Sequence, residues 1–190
     1  IDYVPKCLSY ILQKKGLVQA LGVNYEVFKP IDKEEAIGHL GLEDNKKYVL
    51  FSDVSNTSIK RRDIAENIVK CLGGDYSLLI MCGVKPQEVP YYINASDFLL
   101  LTSDEEGSPN IIREALSLNK SVFSVEVGDA AKQLEGLQNS VIISRDPIKA
   151  ADTIVSILQK PYVDNTRDTL RDRLNFVRVN RVVVDKYLKL

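Results

Sequence analysis

Histidine occurs once in this 190-residue chain, at His39, and cysteine three times, at Cys7, Cys71 and Cys82. One imidazole cannot build a His/Cys metal cluster. It also gives no support to a Ser-His-Asp triad, since His39 lies in an amphipathic helical stretch where a lone histidine reads as solvated. The cysteines are odd in number, widely spaced and without CxxC or zinc-ligand spacing. Two fall within or beside apolar runs, and the set reads as reduced, buried thiols of a cytosolic protein. No apolar run approaches the ~18 residues of a membrane-spanning helix. Neither charge sign is in excess: the formal net charge of −1 gives no overall attraction to nucleic acid or an anionic membrane. Internal repeats and low-complexity segments are lacking too.

What is present is the composition of one soluble globular domain, 45% apolar and 27% charged. The opening Ile1-Asp2-Tyr3-Val4-Pro5 is neither a start methionine nor a signal peptide, so the sequence is expected to begin inside a longer parent. Five short apolar runs recur at 48–51, 78–81, 98–101, 122–125 and 141–143. Each is continuous rather than alternating, as in strands covered on both faces. Between them lie helical stripes: Ile64, Ile68, Val69 and Leu72, ending at Gly73-Gly74; then Ile111, Ile112, Ala115 and Leu116; then Ile148, Ala151, Val155 and Leu158, with Pro147 near its start. This alternation predicts an α/β, Rossmann-like core over about 45–160, a parallel sheet with helices on both faces. Ligands of such sheets bind at the carboxyl ends of the strands.

The flanks carry further expectations. Residues 4–15 read as helical and 17–21 as a short strand, while Asp32-x-x-Glu35 resembles a capping box opening a helix to Leu40. After Pro161 a long helix carries Leu170, Leu174, Val177, Val184 and Leu188 on one stripe. That stripe has no evident partner in the core, so it either wraps the domain or docks on another lobe or subunit.

The chemistry concentrates after the third run, in Thr102-Ser103-Asp104-Glu105-Glu106-Gly107-Ser108-Pro109-Asn110 and the helix that holds Glu114. Gly107 permits a tight turn and a close approach to a ligand, Ser108 suits an N-cap and Pro109 the first helical position. A helix N-terminus at the end of a central strand offers free N–H groups and partial positive charge to a phosphate. Glu114 lies about 7 Å along the helix and shares a face with Asn110, so Glu106 and Glu114 are placed to accept from two hydroxyl-bearing parts of one ligand. By spacing alone, the same residues also suit an ordinary helix start with a solvated Glu114. Lys60-Arg61-Arg62 opens another helix, where cations oppose the macrodipole unless an anion joins them. A solvated charge run paired with Asp63 and Glu66 is the plainer alternative.

Taken together, these residues resemble the C-terminal, donor-binding domain of GT-B-fold glycosyltransferases of the GT4 type. The hallmark is Ser103-Asp104-Glu105-Glu106-Gly107-Ser108-Pro109-Asn110-Ile111-Ile112-Arg113-Glu114-Ala115-Leu116, with its Glu-x7-Glu spacing. Tyr25-Glu26-Val27-Phe28-Lys29-Pro30 is similar to the segment leading from the interdomain linker, and Tyr91-Tyr92-Ile93-Asn94-Ala95-Ser96-Asp97 to the approach to the motif strand. Ser121-Val122-Phe123-Ser124-Val125-Glu126-Val127-Gly128-Asp129 is similar to the strand and loop that follow. The likeness implies that residues 1–21 are the remnant or link of a first lobe, 22–160 the nucleotide-sugar-binding domain, and 161–190 a helix crossing back. It further implies that Glu114 holds the ribose and Glu106 the donor sugar, that the backbone at Gly107, Ser108, Pro109 and Asn110 lines sugar and diphosphate, and that Lys60 neutralises the diphosphate. The family's second basic residue is replaced by Asp53-Val54-Ser55, leaving Arg61 or Arg62 to substitute. The expected donor is a UDP- or GDP-sugar, transferred with retention to an acceptor hydroxyl without metal or other cofactor. The missing N-terminal lobe would come in cis or from a partner chain, and without it little transfer is expected. No nucleic acid or transmembrane segment is implied, though the parent enzyme would be cytoplasmic or peripheral at a membrane. The alternatives are an incomplete binding or interaction module, and a nucleotide-sugar epimerase domain.

Overall fold

Each of the five apolar runs becomes a strand: β1 (Lys47–Ser52), β2 (Tyr76–Met81), β3 (Phe98–Leu101), β4 (Ser121–Ser124) and β5 (Val141–Ile142). The computed structural model describes residues 21–53, 58–161 and 166–187. All pairings are parallel, in the order β2-β1-β3-β4-β5. The burial follows from that order. Every residue of the interior strands β3 and β4 is buried, whereas β5 is half-buried throughout and β2 half-buried at four of its six positions, both being edges.

Helix α1 (Lys33–Leu40) precedes the sheet; α2 (Arg62–Leu72), α3 (Val89–Ala95), α4 (Asn110–Ser117) and α5 (Ala130–Leu134) connect successive strands, and α6 (Pro147–Leu158) follows β5. Crossovers between parallel strands are right-handed. The β1-α2-β2 unit runs toward one edge, so α2 lies on the face opposite α3, α4 and α5, which carry the chain the other way. Helix α6 packs beside α2, and α1 packs beside α3. The doubly covered sheet expected from the continuous apolar runs is what forms. Phe98 and Phe123 meet edge to face at 5.1 Å in its centre, with Phe51, Leu99, Leu100, Ile112 and Ile154 fully buried around them.

Asp32 caps α1, its carboxylate accepting from the N–H groups of Glu34 and Glu35 at 2.9 and 3.3 Å. His39 is exposed, but it is not merely solvated: its Nε2 lies 2.8 Å from Glu88 and its ring stacks on Tyr91 at 3.8 Å. The cysteines correct the expectation of buried thiols. Cys71 and Cys82 are both exposed, because Cys71 falls off the buried stripe of α2 (Ile64, Ala65, Ile68, Val69) and Cys82 follows the edge strand β2. Cys7, the helix expected over 4–15, all of the 17–21 strand except the exposed Leu21, and Leu188 lie outside the described residues.

The long C-terminal helix is divided into α7 (Thr166–Leu174) and α8 (Phe176–Tyr187). At the junction, the Val23 N–H donates to the Leu174 carbonyl at 2.6 Å, and the Asn175 Oδ1 accepts from the Val177 N–H at 2.9 Å. An outside donor and a local side chain thus interrupt the helical ladder. Leu170, Leu174 and Val179 are buried, while Val177 and Val184 are exposed. The first half of the stripe therefore wraps the domain against α4. Arg167 fastens that contact, donating to the carbonyls of Phe28 and Ser117 while its guanidinium lies 4.6 Å from the Tyr25 ring. This ties the segment entering the domain to the carboxyl end of α4.

Candidate functional site

Strands β1 and β3 are neighbours, yet the chain leaves them in opposite directions, toward β2 and toward β4. That reversal opens a crevice at their carboxyl ends. On one side of it stand Asp53, the 3-10 turn Ser58–Lys60, and Arg61; on the other lie residues 102–109. The two sides are bonded. The Asp104 N–H donates to the Ile59 carbonyl at 2.8 Å, and the Thr102 hydroxyl lies 3.0 Å from the carbonyls of both Lys60 and Arg61. With its backbone held, Lys60 reaches across and its Nζ donates to Glu106 Oε1 at 2.6 Å. The Ser103 hydroxyl donates to the same oxygen at 2.9 Å. The lysine and glutamate side chains are only 20% and 15% exposed.

Of the other two bases in the Lys60-Arg61-Arg62 run, Arg61 also reaches the far side and Arg62 does not. Arg61 pairs with Asp63 at 2.8 Å and with Asp104 at 3.3 Å, and these carboxylates hold its guanidinium firmly protonated. Its backbone is left-handed, with φ at 52° and ψ at 51°. Arg62 pairs with Glu66 at 2.8 Å on the exposed side of α2, as the plainer alternative for this charge run expected. A fourth base, Arg145, was not apparent from the motif. It arrives from the carboxyl end of β5, donating to Asp104 at 2.8 Å and to the carbonyls of Ser103 at 2.8 Å and Thr102 at 3.2 Å. Its one signal in the sequence is its place just after an apolar run, where strand ends face the crevice.

Helix α4 starts one residue later than expected. Pro109 occupies the cap position and Asn110 the first turn, so Ser108 is not the N-cap. The Ser108 hydroxyl instead donates to Asp129 at 2.7 Å and accepts from Arg113 at 2.8 Å. Arg113 is 2% exposed and also donates to the Ser108 carbonyl and to Asn110 Oδ1; burial lowers its pKa from the usual arginine value. Gln133 completes the chain, donating to Asp129 Oδ1. Gly107 lies at a bend of the chain, although its φ is not positive and a Cβ there would meet open space. The close approach is at Gly128 instead, with φ at 53° and a position where a Cβ would fall 2.5 Å from the Gly107 carbonyl and 2.7 Å from that of Glu106. The Asp129 N–H donates to the Gly107 carbonyl at 3.1 Å. The loop after β4 thus braces the 106–108 backbone, and Arg113, Gly128 and Asp129 are site residues the motif alone did not reveal.

Within α4, Ile111, Ile112, Arg113, Ala115, Leu116 and Ser117 are buried, leaving Asn110 exposed and Glu114 half-buried. The open face of the helix is therefore the one those two residues share. The Glu114 carboxylate has no hydrogen-bond or ion-pair partner among the described residues. Burial raises its pKa above the ordinary glutamate value, and neighbouring Arg113 partly offsets this. A second orphan lies across the crevice, where Asp53 is 3% exposed and its Oδ1 has no hydrogen-bond partner among the described residues. Among the described residues, no group of three or more His, Cys, Asp or Glu side chains gathers in a geometry able to hold a metal ion, and no helix is long and apolar enough to cross a membrane.

No known protein-family profile matches the sequence, and no curated protein matches it. Solved structures do match. HepE of Anabaena in complex with UDP-glucose superposes with a TM-score of 0.73 at 17% identity, covering 92% of this chain and 57% of that one. Sucrose-phosphate synthase of Thermosynechococcus elongatus gives 0.69 at 16% identity, covering 96% and 56%. This chain therefore spans a little over half the length of both proteins. The C-terminal domain of the group 1 glycosyl transferase LpcC from Francisella tularensis gives 0.64 at 14% identity, covering 81% of this chain and 99% of that one. At these identities the shared property is the architecture: the parallel sheet and its covering helices are the fold of the C-terminal domain of GT-B glycosyltransferases.

Proposed function

We propose that this chain is the donor-binding domain of a retaining, GT4-type glycosyltransferase, taking a nucleoside-diphosphate sugar at the β1/β3 crevice. The observation that carries the proposal is the state of Glu114. A half-buried carboxylate without a partner among the described residues lies on the one open face of the helix that starts where Lys60 and Glu106 meet. A buried carboxylate is stable without a partner only at a cost, and a ribose offers it two hydroxyl donors. Glu106 faces the sugar, the backbone from Gly107 to Asn110 and the α4 N-terminus line the diphosphate, and Lys60 with that terminus offsets the charge that develops as the glycosidic C–O bond breaks. The acceptor oxygen bonds to the anomeric carbon as the nucleoside diphosphate leaves, and the acceptor's proton passes to the departing diphosphate oxygen, with a first lobe supplying the acceptor's side of the cleft. UDP and UDP-glucose occupy HepE, which makes the uridine series the first to try. Arg62 pairs with Glu66 on the exposed side of α2, whereas Arg61 and Arg145 share Asp104; of these two we take Arg145 as the second base for the diphosphate, because it is also held on the Thr102 and Ser103 carbonyls of the motif.

Calorimetry with UDP-glucose, UDP, GDP and GDP-mannose tests this. One series should bind, with Glu114→Ala and Lys60→Ala each weakening it about tenfold or more. A folded sample that binds none of the four refutes the donor site.

A further inference from the structure

In the proposed donor site Lys60 serves the diphosphate and Glu106 the sugar, yet these side chains already hold each other at 2.6 Å. With 20% and 15% exposure, water screens them far less than a surface pair. The arrangement is built, not incidental. Thr102 fixes the Lys60 backbone from across the crevice, and Ser103 orients the same Glu106 oxygen that receives the lysine. A diphosphate that takes Lys60 must therefore strip Glu106 of its cation and lie beside an uncompensated carboxylate. A bare nucleoside diphosphate offers Glu106 nothing in return, whereas a sugar on that diphosphate brings hydroxyl donors to it.

We propose that the Lys60–Glu106 pair is a latch that discriminates the nucleoside-diphosphate sugar from the nucleoside diphosphate left after transfer. The donor opens the latch because sugar hydroxyls replace the lysine at Glu106. The product is held weakly because Glu106 competes for the lysine, which favours its release. This inference rests on the donor-site proposal, and the experiment separates the two.

Dissociation constants for UDP and UDP-glucose, with GDP and GDP-mannose in parallel, are measured calorimetrically for the unaltered chain and for Glu106→Gln. The expected result is that Glu106→Gln tightens the bare diphosphate by about fivefold or more, while the sugar nucleotide changes little or weakens, so that the ratio of the two constants falls. Adding Lys60→Met to Glu106→Gln should abolish the gain. Should Glu106→Gln not fold by circular dichroism, Glu106→Ala removes the same competing charge and is judged on the same ratio. If the unaltered chain binds the diphosphate and neutralising Glu106 leaves that affinity unchanged or weaker, the latch is refuted while the donor site stands. If the folded, unaltered chain binds no nucleotide, the donor site fails and the latch with it.

Discussion

Replacing Glu114 by glutamine should make the protein more stable and its ligand binding worse. The carboxylate is half-buried, unpartnered among the described residues, and held above the ordinary glutamate pKa by burial, with Arg113 only partly offsetting this. The folded state therefore binds the proton more tightly than the unfolded chain, whose carboxyl titrates near 4.5. A carboxyl raised in the folded state contributes fully below the unfolded pKa and loses that contribution as pH rises through the folded one. At pH 7 the charge thus opposes folding, and a neutral isostere should recover about 0.5–1.5 kcal/mol. Urea unfolding should show Glu114→Gln above the unaltered chain at pH 7, with the gap closing as pH falls toward the ordinary glutamate range. The same substitution removes a charge-assisted acceptor worth about 1.5–2 kcal/mol, so the nucleotide sugar should bind roughly ten- to thirtyfold more weakly. A variant less stable at pH 7, or a gap indifferent to pH, would refute the desolvated and unpaired carboxylate. Unchanged affinity would remove Glu114 from the site.

Other substitutions test the scaffold. Gly128→Ala places a Cβ 2.5 Å from a backbone carbonyl at a left-handed φ of 53°, and should cost about 2 kcal/mol or more in urea unfolding; a midpoint unchanged from the parent would contradict the brace. Arg61→Gly relieves a left-handed non-glycine backbone (φ 52°) worth about 1–2 kcal/mol and gives up ion pairs that water screens, so stability should hold or rise; a clear loss would show that the pairs with Asp63 and Asp104 matter more. Arg145→Gln should lower stability by about 1 kcal/mol and weaken diphosphate binding several-fold, because the 102–104 backbone loses its donors; equal binding would confine Arg145 to the surface.

The sequence by itself determined the layers. Continuous apolar runs require two covered faces whatever their neighbours are, and all five became strands. Helical stripes between them called for a parallel sheet, and Asp32 marked the start of its helix because capping is a local bond. The pattern Glu106 to Glu114 was equally visible, since helix spacing alone puts Asn110 and Glu114 on one face. Local patterns misled where tertiary packing sets the outcome. Cys71 lies two residues after buried Val69 and Cys82 directly after buried Met81, but the first falls outside the buried stripe and the second beyond the edge strand. The last helix breaks because Val23, far away in sequence, donates into it. Ser108 lost the cap to Pro109 because Arg113 and Asp129 claimed its hydroxyl.

Only the tertiary structure decided strand order, and strand order decides the site. The sequence offers no measure of which strands adjoin; β1 beside β3 is what brings Lys60 to Glu106 over 46 residues, and the run β3-β4-β5 is what brings Arg145 to Asp104 over 41. Which cation is engaged, which carboxylate is left unpaired, and where a glycine is compulsory are all consequences of that order. Side-chain electrostatics depends on distance through space, and a one-dimensional pattern specifies such distances only within a helix or a strand.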